Sequence, residues 1–275
     1  MARGPTDLEI WPYVFDGAPR PFLHPVTTPK GTVLSVDAPD DHPWHHGLWF
    51  TFKYVNGENF WEELPPFGTL RQSVAPTVEA TPSGTVRRNE LAWTSVDGTV
   101  VIDQQFVLTD RPVPDAHLLD VEVTLCPRID VVLDRTPFTT WGGYGGLTLR
   151  GRPDWHDTTL RIDDGEDHEI LRGERSAWCS LEGTVGADDG VAGIAFFDHP
   201  SNPRSPVTWY ASTRSATYGD EGWSNFLNAA LLWDEPLVHA AGQELCLRYG
   251  VVTYDGPWGH EGASRAYADW RSAQS

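Results

Sequence analysis

The chain has 275 residues, with 20 Lys plus Arg against 39 Asp plus Glu and a formal charge of −19. That balance repels phosphate backbones and anionic lipid surfaces, which excludes nucleic acid and membranes as partners. The length suffices for one domain over residues 1–275, and no apolar run approaches the roughly 18 residues that a bilayer span requires.

The opening stretch MARGPTDLEIWPYVF interrupts its apolar residues with acids and prolines where a secretory signal needs continuity, so the chain reads as cytoplasmic. Next comes FLHP, which sets His24 between an apolar pair and a proline. A run GTVLSV at 31–36 has strand composition, and DAPDDHPWHHGLWFTF at 37–52 concentrates three histidines and three acids before aromatics. Pro43 removes an amide hydrogen and biases His42 toward extended backbone, so 42–46 reads as a loop feeding a strand at Gly47. In an extended chain Trp44 and His46 point one way and His45 the other, which leaves one of the adjacent histidines for chemistry and one for structure. Beyond Gly47, Leu48, Phe50, Phe52 and Tyr54 alternate with Trp49, Thr51 and Val55; both faces are apolar, as in a central strand.

NFWEE at 59–63 places Glu62 beside Trp61, where an apolar cleft disfavours the charged carboxylate and suits it to acid–base work, although a surface turn before Pro65 reads equally well. Strands follow at 98–109 and 118–126; in the latter Leu119, Val121, Val123 and Leu125 face inward while Asp120, Glu122 and Thr124 face water. In TTWGGYGGLTLR at 139–150, four glycines let backbone approach closely around Trp141 and Tyr144, ahead of Arg150; they match no phosphate-binding loop. The acidic run at 162–169 is a solvated turn. Strands at 193–198, 206–212 and 244–254 surround DHPSNPR, whose His199, Asn202 and Arg204 would stand at a strand tip with Trp209 nearby. Residues 262–273 alone show helical spacing, with Ala263, Ala266, Tyr267 and Trp270 on one face against the outside of a sheet.

So many short strands exceed one open sheet and predict an all-β fold, a large antiparallel β-sandwich with a short C-terminal helix. Cys126, Cys179 and Cys246 are far apart and form no CxxC pair, which predicts buried free thiols. Thirteen tryptophans are more than such a core requires and suit flat platforms for sugar rings. The histidines admit a divalent metal without any HExxH signature, so no cofactor is assigned. No GxSxG elbow supports a serine nucleophile.

Taken in order, RPFLHPVTTPKG, DDHPWHHGLWF, NFWEE, GGYGGLTLR, DHPSNPR and EPLVHAAGQELCLRYGVVTYDG resemble the bacterial family known as PmoA-like over nearly the whole chain. The resemblance implies a galactose-mutarotase-like β-supersandwich and a functional link to sugar oxidoreductases, hence carbohydrate catabolism. By position, the family's DHPxH falls on Asp41, His42, Pro43 and His45, its His-Pro on His24, its FW-acid on Glu62, and its HPxNPR on His199, Asn202 and Arg204. The chain departs from the family at His46, where Arg is usual, and at 227–230, where FNPA is usual.

The resulting expectation is a carbohydrate-active enzyme cleaving a glycoside or its oxidised 3-keto form. His45 and His199 polarise the sugar oxygen, Glu62 takes a proton or activates water, and His24 and Arg204 orient the substrate. His42, Arg150 and Asn202 add polar contacts, and Trp49, Trp61, Trp141, Tyr144 and Trp209 line the cleft. The alternatives are a non-catalytic sugar-binding partner of an oxidoreductase, an aldose epimerase and a metal-dependent cupin-like oxygenase. Common location of His24, His45, His199 and Glu62 separates the enzyme from the binding module.

Overall fold

The computed structural model describes residues 10–136, 143–186, 190–214 and 224–274. Two antiparallel sheets dominate. The smaller has seven strands, in the order Tyr13–Val14, Phe22–Leu23, Leu48–Thr51, Gly146–Arg150, Phe226–Ala229, Thr208–Ser212 and Ile170–Arg175. The larger has ten. Its path runs Asp167–His168, Trp155–Arg161, Trp178–Val185, Val191–Asp198, Leu245–Asp255, Ala116–Pro127, Val100–Val113, Gly84–Thr94 and Thr69–Gln72, with Thr77–Thr81 also paired to Gly84–Thr94. One core joins the inner faces of both: Leu48, Phe50 and Leu149 from the first meet Val121, Val123 and Leu247 from the second. This is the predicted sandwich, and its cause is the period-two alternation that gives each strand one apolar face.

Leu119, Val121, Val123 and Leu125 point inward as expected, with Glu122 exposed. Asp120 departs from expectation, because the C-terminal helix Gly259–Ala273 covers the outer face at that point. Buried there, the carboxylate accepts from Trp270 Nε1 (2.6 Å), Gln274 Nε2 (3.1 Å) and the Arg111 guanidinium, so an acid on an otherwise wet face becomes the helix's anchor. Ala263 and Trp270 pack there with Phe197 and Val252. Residues 31–36 form no strand: Leu34 N bonds Val26 O while Val36 N bonds Arg150 O, and this change of partner leaves only isolated bridges. Of the cysteines, Cys179 is buried but Cys246 is exposed and Cys126 half-buried, which corrects the expectation of three buried thiols.

A third sheet of four short strands, Leu237–His239, Val131–Asp134, Tyr54–Val55 and Glu58–Asn59, closes one end. Its hairpin turns at Asn56 and Gly57, both with positive φ (50° and 81°), the backbone that an Asn-Gly pair adopts at least cost. That turn sends the chain back across the outer face of the seven-stranded sheet.

Candidate active site

Register decides what the outer face of the seven-stranded sheet presents. Directly paired residues project to the same side, so Phe22, Trp49, Thr148, Asn228, Tyr210 and Arg172 form one row across six strands. A second row holds Arg150, Phe226 and Ser212. The intervening row, Leu48, Leu149, Leu227, Ala211 and Leu171, goes to the core. In the middle of the outer row the buried Asn228 donates to Thr148 Oγ1 (2.7 Å) and Leu147 O (3.2 Å) and accepts from Gly145 N (3.1 Å). These bonds fix the glycine turn and stand Tyr144 over the row. The glycines are needed for space: a Cβ at Gly143 would overlap the Trp233 ring, and one at Gly146 would lie 2.5 Å from Ala229 O.

Onto this face folds the histidine loop. Asp37 and His46 bridge, Ala38 N bonds His45 O at 2.9 Å, and His45 N bonds His42 O at 2.9 Å, which makes 42–45 a tight turn with Pro43 at its first corner. The loop is therefore not extended at Trp44, and that ring joins His42 and His45 instead of His46. The turn stacks His42 on His45, ring centres 4.6 Å apart. His45 lies over Trp49 (5.3 Å) and Phe226 (5.5 Å). His46 turns the other way, stacks on Phe22 and sits between Asp37 (2.6 Å) and Glu63 (2.8 Å). The two adjacent histidines thus face different surroundings, His45 the aromatic floor and His46 two carboxylates.

The third wall comes from NFWEE. Asn59 Oδ1 accepts from Trp61 N (2.9 Å) and Glu62 N (3.1 Å), while Asn59 Nδ2 donates to Glu62 O (2.8 Å). This side-chain turn aims Trp61 at Trp49 and Tyr144, and points Glu62 at Lys53 and the Tyr144 hydroxyl (3.4 Å). Glu63 diverges toward His46 and Arg20. Arg20 donates to Trp44 O (3.2 Å) and Trp61 O, so one buried guanidinium joins the two segments that carry the walls.

Between these segments lies a cavity of about 220 Å³ lined by His42, Trp44, His45, Trp61, Glu62, Tyr144, Tyr210 and Phe226. Burial, with Arg150, His42, Arg20 and His46 nearby, holds His45 well below the usual imidazole range. Burial also lowers His42, and the hydrogen bond from its Nδ1 to Asp41 (3.0 Å) opposes that only in part. Burial would raise Asp41, but Arg150, 2.6 Å away, and the bond from His42 outweigh it and hold the carboxyl low. Burial pushes the Tyr144 phenol up to about 12, and burial together with Arg20 pulls the Lys53 ammonium down to about 8. Two uncharged imidazoles, a carboxylate and a protonated phenol thus face one space.

Several anticipated members lie elsewhere. His24 bonds Ser35 Oγ at 2.9 Å and does not line the cavity. His199 stands on the ten-stranded sheet, bonded to Ser201 and edge-on to Trp270 of the helix. Asn202 secures Asp198 and the Arg248 backbone, and Arg204 donates to the carbonyls of Leu231, Glu235 and Pro236. Each of these secures a turn or the backbone beside it, which is why HPSNPR looks like a site in sequence. Trp209 faces the core, with Nε1 on Ser176 O. Trp49 is floor beneath the cavity, Arg150 braces Asp41, and Trp141 lies outside the described residues. Among the described residues no three His, Cys, Asp or Glu side chains are placed to hold one metal ion. No described helix is long and apolar enough to cross a membrane.

Trp44, Tyr210 and Phe226 were not among the expected lining residues. For Tyr210 the signal was present: once Trp209 is core, alternation turns its neighbour outward.

The model of a family of unknown function, DUF6807, matches residues 6–268. No curated protein matches the chain. Among solved structures it is similar to an α-galactosidase from Lactobacillus brevis (12% identity, TM-score 0.41, 82% of this chain and 31% of that one). It is also similar to a polysaccharide lyase (10% identity, TM-score 0.39, 94% of this chain and 34% of that one). A third likeness is to an α-galactosidase from Geobacillus stearothermophilus in complex with raffinose (11% identity, TM-score 0.37, 88% of this chain and 31% of that one). The chain thus spans about a third of the length of each of these structures.

Proposed function

The chain belongs to the DUF6807 family, and from that premise we propose that the cavity around His42, His45 and Glu62 is the acid–base site of a carbohydrate-active enzyme that cleaves a glycoside or its oxidised 3-keto form. One observation carries this reading: two stacked, uncharged imidazoles share an aromatic-walled cavity with a carboxylate and a phenol. Neutral imidazole is the form that accepts a proton, and flat rings suit the C–H faces of a sugar.

Within this proposal His42 is the base. Asp41, braced by Arg150, accepts from Nδ1–H and leaves Nε2 as the basic nitrogen, the way a carboxylate fixes a catalytic tautomer. Its proton comes from a sugar hydroxyl or a water. As the oxygen of that nucleophile replaces the released sugar oxygen at the anomeric carbon, the leaving oxygen, hydrogen-bonded by the Tyr144 hydroxyl, takes up the proton that His42 removed. Glu62, paired with Lys53, faces the positive charge that develops on the ring during cleavage.

Because His24 and His199 stand outside the cavity, a sugar-binding module without turnover is the second reading. Incubation of the purified protein with glycosides and their 3-keto forms, with and without chelator and followed by mass spectrometry, separates the two. The enzyme reading expects product from at least one substrate and a loss of roughly 100-fold or more in His42→Ala. Saturable binding with no turnover anywhere would establish the binding module instead.

A further inference from the structure

The charges around the cavity are spent on one another. Lys53 is held by Glu62, Arg150 by Asp41 and Arg20 by Glu63 together with two backbone carbonyls. His42 and His45 add no cation, since burial keeps both uncharged. Asp37 is a further carboxylate at the same loop, on His46. Around the cavity Asp41, Glu62 and Glu63 are thus paired with Arg150, Lys53 and Arg20, Asp37 and Glu63 enclose His46 between them, and the whole chain carries −19.

We infer that the site takes an uncharged sugar unit and rejects both the hexuronates and the phosphorylated forms of the same sugar. This rests on the cavity being the sugar site proposed above. A carboxylate or phosphate entering there would lose its hydration and meet Glu62 on the wall, with each neighbouring cation already paired; a buried charge without a partner is strongly disfavoured. An amino sugar would have to draw Glu62 away from Lys53 and leave that ammonium buried alone. Arg172 extends the Tyr210 row but is exposed at the sheet edge, in water, and does not line the cavity. The polar groups that do line it, the imidazoles and the Tyr144 hydroxyl among them, are matched to hydroxyls, which both donate and accept.

Titration calorimetry on the full chain tests this with matched sets: methyl hexosides, the corresponding methyl hexuronides, the 6-phosphates and the 2-amino sugars, compared at 0.15 M salt. The expected result is saturable binding of at least one neutral glycoside, with its charged counterparts at least 30-fold weaker. A charged counterpart binding as tightly as its neutral parent, or binding where the neutral parent does not, would overturn the inference and leave the sugar-site reading in place. Failure of every set would overturn the sugar-site reading and the inference with it.

Discussion

His45 is 4% exposed, its Nδ1 has no hydrogen-bond partner among the described residues, and the rings of His42, Trp44, Trp49, Trp61 and Phe226 pack on it. Truncation therefore removes packing as well as chemistry. His45→Ala is expected to cost about 2–4 kcal/mol by denaturant unfolding, as other large-to-small changes in packed sites do, in addition to ligand affinity. His42 is half-buried and its alanine variant should stay within about 1 kcal/mol of the parent while losing turnover. Both imidazoles are lowered in the folded state, so the unfolded chain binds more protons between those lowered values and about 6.5. Stability should be fully present above that point and fall as pH drops below it, whereas the rate's acidic limb should lie below the ordinary histidine range. Acid unfolding that begins only in the carboxylate range would contradict the burial argument. The sequence showed that 42–46 forms a loop and that His45 and His46 part company. It did not show which histidine faces the cavity, since that depends on a turn at Pro43 and on Asp37, Glu63 and Phe22 receiving His46.

At the scale of elements, alternation made the long strands legible, because one buried face stamps a period of two on each. Asp120 shows where this stops. An acid on a wet face and an acid beneath a docked helix read alike, and only Trp270, 150 residues later, distinguishes them. Trp270→Ala should cost about 3–5 kcal/mol by removing the indole from its apolar cluster and from Asp120. His199 stands beside that helix, on the other sheet from the cavity, so His199→Ala should leave sugar affinity within twofold in calorimetry; a tenfold loss would return it to the site. DHPSNPR resembled a second site because its residues tie down turn and loop backbone, and polar side chains that serve a turn have the same composition as those that serve a ligand. NFWEE was more informative: Asn59 turns the chain after the hairpin, and the two acids diverge as their spacing requires.

Across the whole molecule, the cavity is assembled from segments as distant as Trp44 and Phe226, joined by sheet register and by Arg20. No local pattern encodes that meeting, which is why two expected histidines were misplaced and Tyr210 and Phe226 were missed. The charge of −19 is a property of the same scale: mutual repulsion should weaken the fold at low salt, and raising ionic strength from 0.01 to 0.15 M shortens screening from about 30 to 8 Å. The melting temperature should rise over that range by scanning calorimetry. A fall would mean that local ion pairs outweigh the net repulsion. The claim on which the account depends is that a sugar occupies the space between His42, Trp61, Glu62 and Tyr144. A crystal structure of the protein soaked with a saturating glycoside tests it most directly: the account predicts a ring stacked against Trp61 and within hydrogen-bond reach of His42, and a ring bound beneath the C-terminal helix or beside His199, with this cavity unaltered, would contradict it.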